Sequence, residues 1–156
     1  MQLEAGAVDL RPVLVVEDSD DDFDTVVVAA ARAKVGNRLV RASDAERAWQ
    51  LLARDPVGSF AFILLDYDLQ GPDGLAFLGQ VRRNGLWAQL PVVVLTTSVN
   101  PRDRDVFCAA GANAFHVKSV QYTDCLCAIE SIFGRWLNPS TLTKDAAMPS
   151  PARGLA

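Results

Sequence analysis

Two kinds of apolar pattern alternate along the chain. Short runs of consecutive aliphatic or β-branched residues recur five times, which is typical of strands buried on both faces of a sheet. Between them lie stretches whose apolar residues recur at three- and four-residue spacing, which indicates amphipathic helices. We predict strands at residues 13–16, 38–41, 60–65, 92–95 and 114–117.

Start and stop signals for helices fall between these runs. Asn100 followed by Pro101 is typical of an N-cap and the first helical position. Ser43 with Glu46 three residues later predicts a capping box, and Gly111 falls where a helix should end. The strand–helix order, repeated five times, predicts an α/β domain with a parallel sheet and helices on both faces.

The composition changes near residue 138. The last 19 residues contain three prolines and few apolar side chains, which is typical of a tail rather than of packed structure. We therefore predict one domain over residues 1–137 and a C-terminal tail over residues 138–156.

Charge and cysteine content narrow the function. The net charge of -4 argues against a general electrostatic grip on nucleic acid or on an anionic membrane, and no apolar run approaches the length of a membrane span. The odd number of cysteines, Cys108, Cys125 and Cys127, fits a reducing cytoplasm. Cys125 and Cys127 have no second pair beside them, so we do not predict a metal site there.

Polar side chains follow the predicted strands at their carboxyl ends, where open parallel sheets bind ligands. These residues are Glu17, Asp18, Asp66, Asp68, Thr96, Thr97 and Lys118. Clustered carboxylates need a cation between them, and oxygen ligands of this kind suit Mg²⁺. A metal-neutralised aspartate can act as a nucleophile and form an acyl phosphate, whose charge a lysine and a hydroxyl would meet.

Other acidic residues in the same region have simpler interpretations. Asp73 fits a helix cap within a Gly/Pro-rich turn. Ser19 fits an N-cap, and residues 20–22 place acidic charge at a helix N-terminus, where it is favourable. We interpret both sets as local helix signals.

Four motifs together resemble the receiver domain of bacterial two-component response regulators. They are VLVVEDS, FILLDYDLQGPDGLAFL, PVVVLTTS and GANAFHVKS, and the resemblance covers residues 13–136. It implies a doubly wound, flavodoxin-like sheet of five parallel strands in the order 2-1-3-4-5, flanked by five helices.

The resemblance also implies the roles of the acidic residues. Asp66 would be the phosphoacceptor. Glu17 and Asp18 would be the acidic pair that holds Mg²⁺ together with Asp66, and the backbone carbonyl of Asp68 would complete the protein ligands.

Three further residues match the switch positions of the family. Thr96 would be the hydroxyl that turns towards the phosphoryl group, Lys118 would pair with a phosphoryl oxygen, and Phe115 would be the switch aromatic. The family usually has proline after the lysine, with a cis peptide, whereas Ser119 stands here. A cis bond before a non-proline residue costs about 2.5–4 kcal/mol, so this bond is either trans or strained.

A narrower resemblance is to stand-alone regulators that pair with bacterial phytochrome histidine kinases, carried by LTTS and FGRWLN. Those proteins commonly dimerise through the face of the fourth helix, fifth strand and fifth helix. Here that face would include Phe107, Phe115, Tyr122 and Trp136.

The leading prediction is therefore a cytoplasmic phosphorylation switch that receives its phosphoryl group from a histidine kinase, such as a bacteriophytochrome. It would act through protein–protein contact and would catalyse only its own phosphorylation and dephosphorylation. One alternative is a phosphorelay intermediate that passes phosphate to a histidine phosphotransfer protein. Another is a phosphatase of the haloacid dehalogenase type, which Asp66 and Asp68 resemble, although Gln70 does not match that motif. A degenerate receiver that only binds partners finds no support in the acidic residues.

Overall fold

The computed structural model describes residues 10–54, 59–66 and 73–137. Its sheet contains five parallel strands in the order β2-β1-β3-β4-β5. The strands are β1 (Val13–Val16), β2 (Leu39–Ala42), β3 (Ile63–Asp66), β4 (Val92–Thr96) and β5 (Ala114–Val117). This order confirms the predicted doubly wound architecture. The predicted tail, residues 138–156, lies outside the described residues.

Five helices alternate with the strands. They are α1 (Asp20–Arg32), α2 (Ala45–Arg54), α3 (Asp73–Arg83), α4 (Pro101–Ala109) and α5 (Tyr122–Leu137). Within the described residues, no helix combines the length and the apolar character that crossing a membrane requires.

Helices cover both faces of the sheet. Successive strand residues point to opposite faces, so neighbouring residues of one strand belong to different cores. Leu14 of β1 belongs to a core with Leu52 of α2 and Phe77 of α3. Its neighbour Val15 belongs to a second core with Phe133 of α5. The consecutive apolar runs of the sequence are thereby explained, since every residue of the three inner strands β1, β3 and β4 is buried.

Two strand ends differ from the sequence prediction in a way that affects the site. β3 begins at Ile63 rather than at residue 60, and it runs on to Asp66, which pairs with Leu95 of β4. β4 likewise runs on to Thr96, which pairs with Val117. Asp66 and Thr96 are therefore terminal strand residues whose backbones are fixed by the parallel ladder.

The helix caps are mostly as predicted. Asn100 caps α4 and accepts a hydrogen bond from the Arg102 amide at 2.9 Å. The predicted capping box at Ser43 is wrong by one residue: Asp44 accepts the Arg47 amide at 2.8 Å and precedes the first helical residue. An aspartate side chain satisfies an orphan amide as well as a serine does, so the two positions cannot be ranked by residue type.

Candidate functional site

The carboxyl edge of the sheet gathers the predicted polar residues. Glu17 directly follows β1, Asp66 ends β3, Thr96 ends β4 and Lys118 directly follows β5. Because the three strands β1, β3 and β4 are neighbours and β5 lies next to β4, these side chains converge on the point where the strand order reverses. Such switch points are the usual ligand sites of open α/β sheets.

Glu17 and Asp66 are buried carboxylates. Their exposed fractions are 1% and 2%. Burial, and then the neighbouring Asp66, raise the pKa of Glu17 to about 10. Glu17 Oε2 accepts the Ser19 amide at 3.1 Å, while its Oε1 is buried without a hydrogen bond. Glu17 is therefore costly to ionise unless a cation neutralises it.

The ammonium group of Lys118 lies among these carboxylates. Its Nζ is 2.5 Å from Asp66 Oδ2 and 4.0 Å from Glu17 Oε1. The lysine side chain is only 9% exposed, so the ion pair is shielded from water and the charge is held at the phosphoacceptor candidate.

A third carboxylate joins the group from α1. Asp22 Oδ2 lies 3.1 Å from Lys118 Nζ, and one oxygen each of Glu17, Asp22 and Asp66 lie within 4.8 Å of one another. Three convergent carboxylate oxygens fit a divalent cation with oxygen ligands. The sequence predicts only a helix N-terminal role for Asp22, and its spacing from Glu17 carries no signal of this contact.

Asp18 is not part of this group. Its side chain is exposed and lines a shallow depression beside Asp20, Arg41 and Asp44. Arg41 occupies that side of β1, with Nη1 2.7 Å from Asp20 and Nε 3.0 Å from the Glu17 carbonyl. Asp68 lies outside the described residues. The metal-binding roles of Asp18 and of the Asp68 carbonyl stay predictions.

Thr96 and Phe115 lie on the strands next to Asp66. Thr96 is buried, and its Oγ1 accepts the Ser98 amide at 3.1 Å. Phe115 packs on the α4 side of β5, with its ring centroid 6.0 Å from that of Phe107. The guanidinium of Arg104 lies 5.7 Å from the Phe115 centroid. The switch roles of these residues remain predictions.

The loop after β5 is built without a cis peptide. No peptide bond between described residues is cis, so the Lys118–Ser119 bond is trans. The Lys118 amide donates to the Thr96 carbonyl at 2.6 Å, and Ser119 Oγ accepts the Gln121 amide at 3.0 Å. A trans linkage therefore suffices to bring the lysine to Asp66 in this chain.

A cavity of about 340 Å³ opens beside the ion pair, between α1 and α5. Asp22, Asp66 and Lys118 form its polar end, and Val26 and Ile129 are among its apolar walls. It offers space on the Asp66 carboxylate for a group of phosphoryl size.

Fold and site together define a doubly wound α/β protein with an acidic, cation-compatible site at the carboxyl end of its central strands. A family model described as the response regulator receiver domain matches residues 13–130, and the chain belongs to this family. The match includes the strand that carries Asp66, which favours a receiver over a dehalogenase-type phosphatase.

Individual response regulators are also similar to this chain in sequence and in structure. Response regulator Rcp1 of Synechocystis sp. is 29% identical over 138 residues, which is 85% of this chain and 92% of Rcp1. The crystal structure of the Mn²⁺-bound form of Rcp1 superposes with a TM-score of 0.74 at 28% identity, covering 82% of this chain and 95% of that one. The phosphorylated cyanobacterial phytochrome response regulator RcpA superposes with a TM-score of 0.76 at 25% identity, covering 84% and 96%.

Proposed function

We propose that this response regulator receiver is switched by phosphorylation of Asp66, with a histidine kinase as the donor. The observation that carries the proposal is the position of Asp66: a carboxylate only 2% exposed, at the end of a central strand, within 2.5 Å of a shielded lysine ammonium. Such a carboxylate is a candidate nucleophile, and the ammonium beside it can pair with the charge of an incoming phosphoryl group.

The chemistry follows from these contacts. An Asp66 oxygen forms a bond to phosphorus while the bond from phosphorus to the donor imidazole nitrogen breaks, and that electron pair stays on the imidazole. Lys118 pairs with an oxygen of the transferred group, and the Thr96 hydroxyl turns to donate to another. Phe115 responds to the movement of Thr96 and changes the surface of β5.

Mg²⁺ is the proposed cation. Glu17 and Asp66 hold it through carboxylate oxygens, with Asp18 and the Asp68 carbonyl as the further ligands predicted from the sequence. When bound, the ion neutralises the carboxylates and the transferred phosphoryl oxygens. The buried Glu17 Oε1 without a hydrogen bond supports this assignment.

The proposed donor is a phytochrome-type histidine kinase of the cytoplasm. The support is the similarity to Rcp1 and to the phytochrome response regulator RcpA. All three cysteines are free thiols, which accords with a reducing compartment.

The proposed output is a homodimer, and its interface is formed by α4, β5 and α5. β5 is an edge strand, and Val117 on β5, Val106 on α4 and Tyr122 on α5 are all exposed. Phe107, which we had placed on this surface, is buried in the core. An exposed apolar edge of this kind is a favourable dimer contact.

Intact-mass measurement after incubation with acetyl phosphate tests the switch. We expect a Mg²⁺-dependent gain of one phosphoryl group in the wild type and none in Asp66→Asn. Asp24→Asn, an exposed aspartate on α1, serves as the control and should gain the group normally. A phosphoryl group retained by Asp66→Asn would refute Asp66 as the acceptor.

The same assay with a phytochrome histidine kinase and ATP tests the donor. Transfer to Asp66 from this kinase, and not from its variant lacking the phosphorylatable histidine, is the expected result. Phosphorylation by acetyl phosphate without any transfer from such kinases would retain the switch and contradict the partner.

A further inference from the structure

Asp22 contacts the lysine of the site from a different element of the fold. We propose that Asp22 is a positioning residue that holds the Lys118 ammonium between α1 and Asp66 in the unphosphorylated protein. It gives the lysine up when a phosphoryl group arrives. The inference rests on the proposed phosphorylation of Asp66 and adds a residue and an ordered exchange of ion-pair partners to it.

The contacts of Lys118 indicate how it is held in the unphosphorylated protein. Its Nζ lies 2.5 Å from Asp66 Oδ2 and 3.1 Å from Asp22 Oδ2. A lysine side chain is a flexible stem with a point charge, and its other two acidic neighbours, Asp66 and Glu17 at 4.0 Å, both lie at strand ends. The Asp22 pair ties the ammonium to α1 as well and defines where it lies before any donor binds.

Several acidic residues lie near the start of α1, and their surroundings in the structure differ from that of Asp22. Asp20 pairs with Arg41 at 2.7 Å on the other side of the turn. Asp21 and Asp24 are exposed. Ser19 caps the helix and accepts the Asp22 amide at 3.2 Å. This cap fixes the first turn of α1, and among the acidic residues of that turn Asp22 is the one whose carboxylate pairs with Lys118.

The ion pair between Asp22 and Lys118 becomes unfavourable once Asp66 carries a phosphoryl group. Asp22 lines the same cavity as Asp66 and Lys118, and a phosphoryl group brings roughly -1.5 to -2 charge into that space. Two negative groups then compete for one ammonium. The phosphoryl oxygens carry the greater charge, so Lys118 moves to them and the Asp22 pair opens.

Lysine-specific NMR tests the holding contact without any phosphorylation. The chain has only three lysines, Lys34, Lys118 and Lys144, so selective ¹⁵N-lysine labelling gives a readable side-chain spectrum. Asp22→Asn should shift the Lys118 Nζ signal, and Asp22→Glu should restore much of it. Asp21→Asn removes the same charge from the same helix turn and should leave the signal in place.

Phosphorylation kinetics test the exchange. After removal of acetyl phosphate, intact mass follows the loss of the phosphoryl group. With the competing carboxylate removed, the phosphorylated state of Asp22→Asn should live longer than that of the wild type, by about fivefold. Asp21→Asn should match the wild type, and Asp22→Glu should stay close to it.

Three results would overturn the inference. One is a Lys118 signal unchanged in Asp22→Asn. Another is a phosphoryl lifetime in that variant that is equal to or shorter than the wild-type lifetime. The third is a rise of more than about a hundredfold in the Mg²⁺ concentration that Asp22→Asn needs for phosphorylation, beyond the loss expected for a group that is not itself a ligand, which would make Asp22 a metal ligand instead. Failure of the wild type to gain any phosphoryl group would refute the proposed function, while the lysine spectrum would still decide whether Asp22 holds Lys118.

Discussion

Glu17 is an acidic side chain buried against another acidic side chain, and its protonation must therefore be linked to folding. Its pKa is raised from 4.5 to about 10, first by burial and then by Asp66. Between these two values the folded protein holds a proton that the unfolded chain has lost. Stability falls with rising pH wherever the folded state binds more protons.

The metal-free protein should accordingly lose stability as the pH rises from about 4.5 towards about 10. Urea unfolding in the presence of a chelator, repeated across this range, measures the slope of the unfolding free energy. Glu17→Gln should flatten the slope, because the replacement has no proton to lose. Glu46→Gln, an exposed glutamate, should keep it. If the slope is unchanged in Glu17→Gln, the pH dependence of stability arises from another group.

Individual residues were predictable from the sequence when their position along a strand decided their environment. Glu17, Asp66, Thr96 and Lys118 stand at strand ends, and parallel strands bring their carboxyl ends together. Asp22 could not be predicted in this way. Its contact with Lys118 depends on the angle at which α1 crosses the sheet, and helical periodicity contains no information on that angle.

At the scale of the secondary-structure elements, Arg82 ties three segments together at the amino end of the sheet. From α3 its Nε donates to the Gly111 carbonyl at 2.9 Å, and Nη1 donates to the Leu90 carbonyl at 2.8 Å. Nη2 donates to Asn113 Oδ1 at 2.7 Å, and that oxygen also accepts the Val92 amide at 2.8 Å. The network joins α3 to the segments that lead into β4 and β5.

Replacing Arg82 with methionine should destabilise the fold by about 3 kcal/mol, because several charge-assisted hydrogen bonds to partly buried backbone are lost together. Chemical unfolding of Arg82→Met measures the loss. Arg83→Met, at an exposed neighbouring position in α3, should change stability by less than about 0.5 kcal/mol. Equal losses in the two variants would mean that the network contributes little.

Element types were predicted correctly from apolar periodicity, whereas several boundaries were not. β3 was expected from residue 60, but it begins at Ile63. The apolar residues Phe60 and Phe62 are buried, and burial alone produces the same pattern whether or not a residue lies in the ladder. The N-cap at Asp44 rather than Ser43 has a similar origin, since both residue types cap well.

At the scale of the whole molecule, the alternation of strands and helices identified the fold class, but it could not order the strands. Which strands are neighbours depends on the crossovers, and apolar spacing is silent on them. The order β2-β1-β3-β4-β5 was expected from the family resemblance, and the structure has it. Family membership thus supplied what periodicity could not.

The proposed dimer surface gives a matched pair of substitutions. Val106 on α4 and Val28 on α1 have the same exposed fraction, 39%, but they lie on opposite sides of the sheet. We expect the phosphorylated wild type to sediment as a dimer, Val106→Lys as a monomer because charge is placed in an apolar contact, and Val28→Lys as a dimer. Sedimentation velocity measures all three. If Val28→Lys is a monomer and Val106→Lys remains a dimer, the prediction is wrong and the interface includes α1 instead.

The anchor at Arg82 also gives α4 unequal ends. Gly111, two residues after the last residue of α4, has a φ of 111°, and a Cβ there would lie 2.8 Å from the Arg82 side chain. The other end of the helix follows Thr96 through Ser98, whose hydroxyl donates to Asp103 at 2.5 Å. Because Arg82 holds the segment after α4 and nothing comparable is seen at Asn100 among the described contacts, we expect a rotation of Thr96 to displace the amino end of α4 more than its carboxyl end.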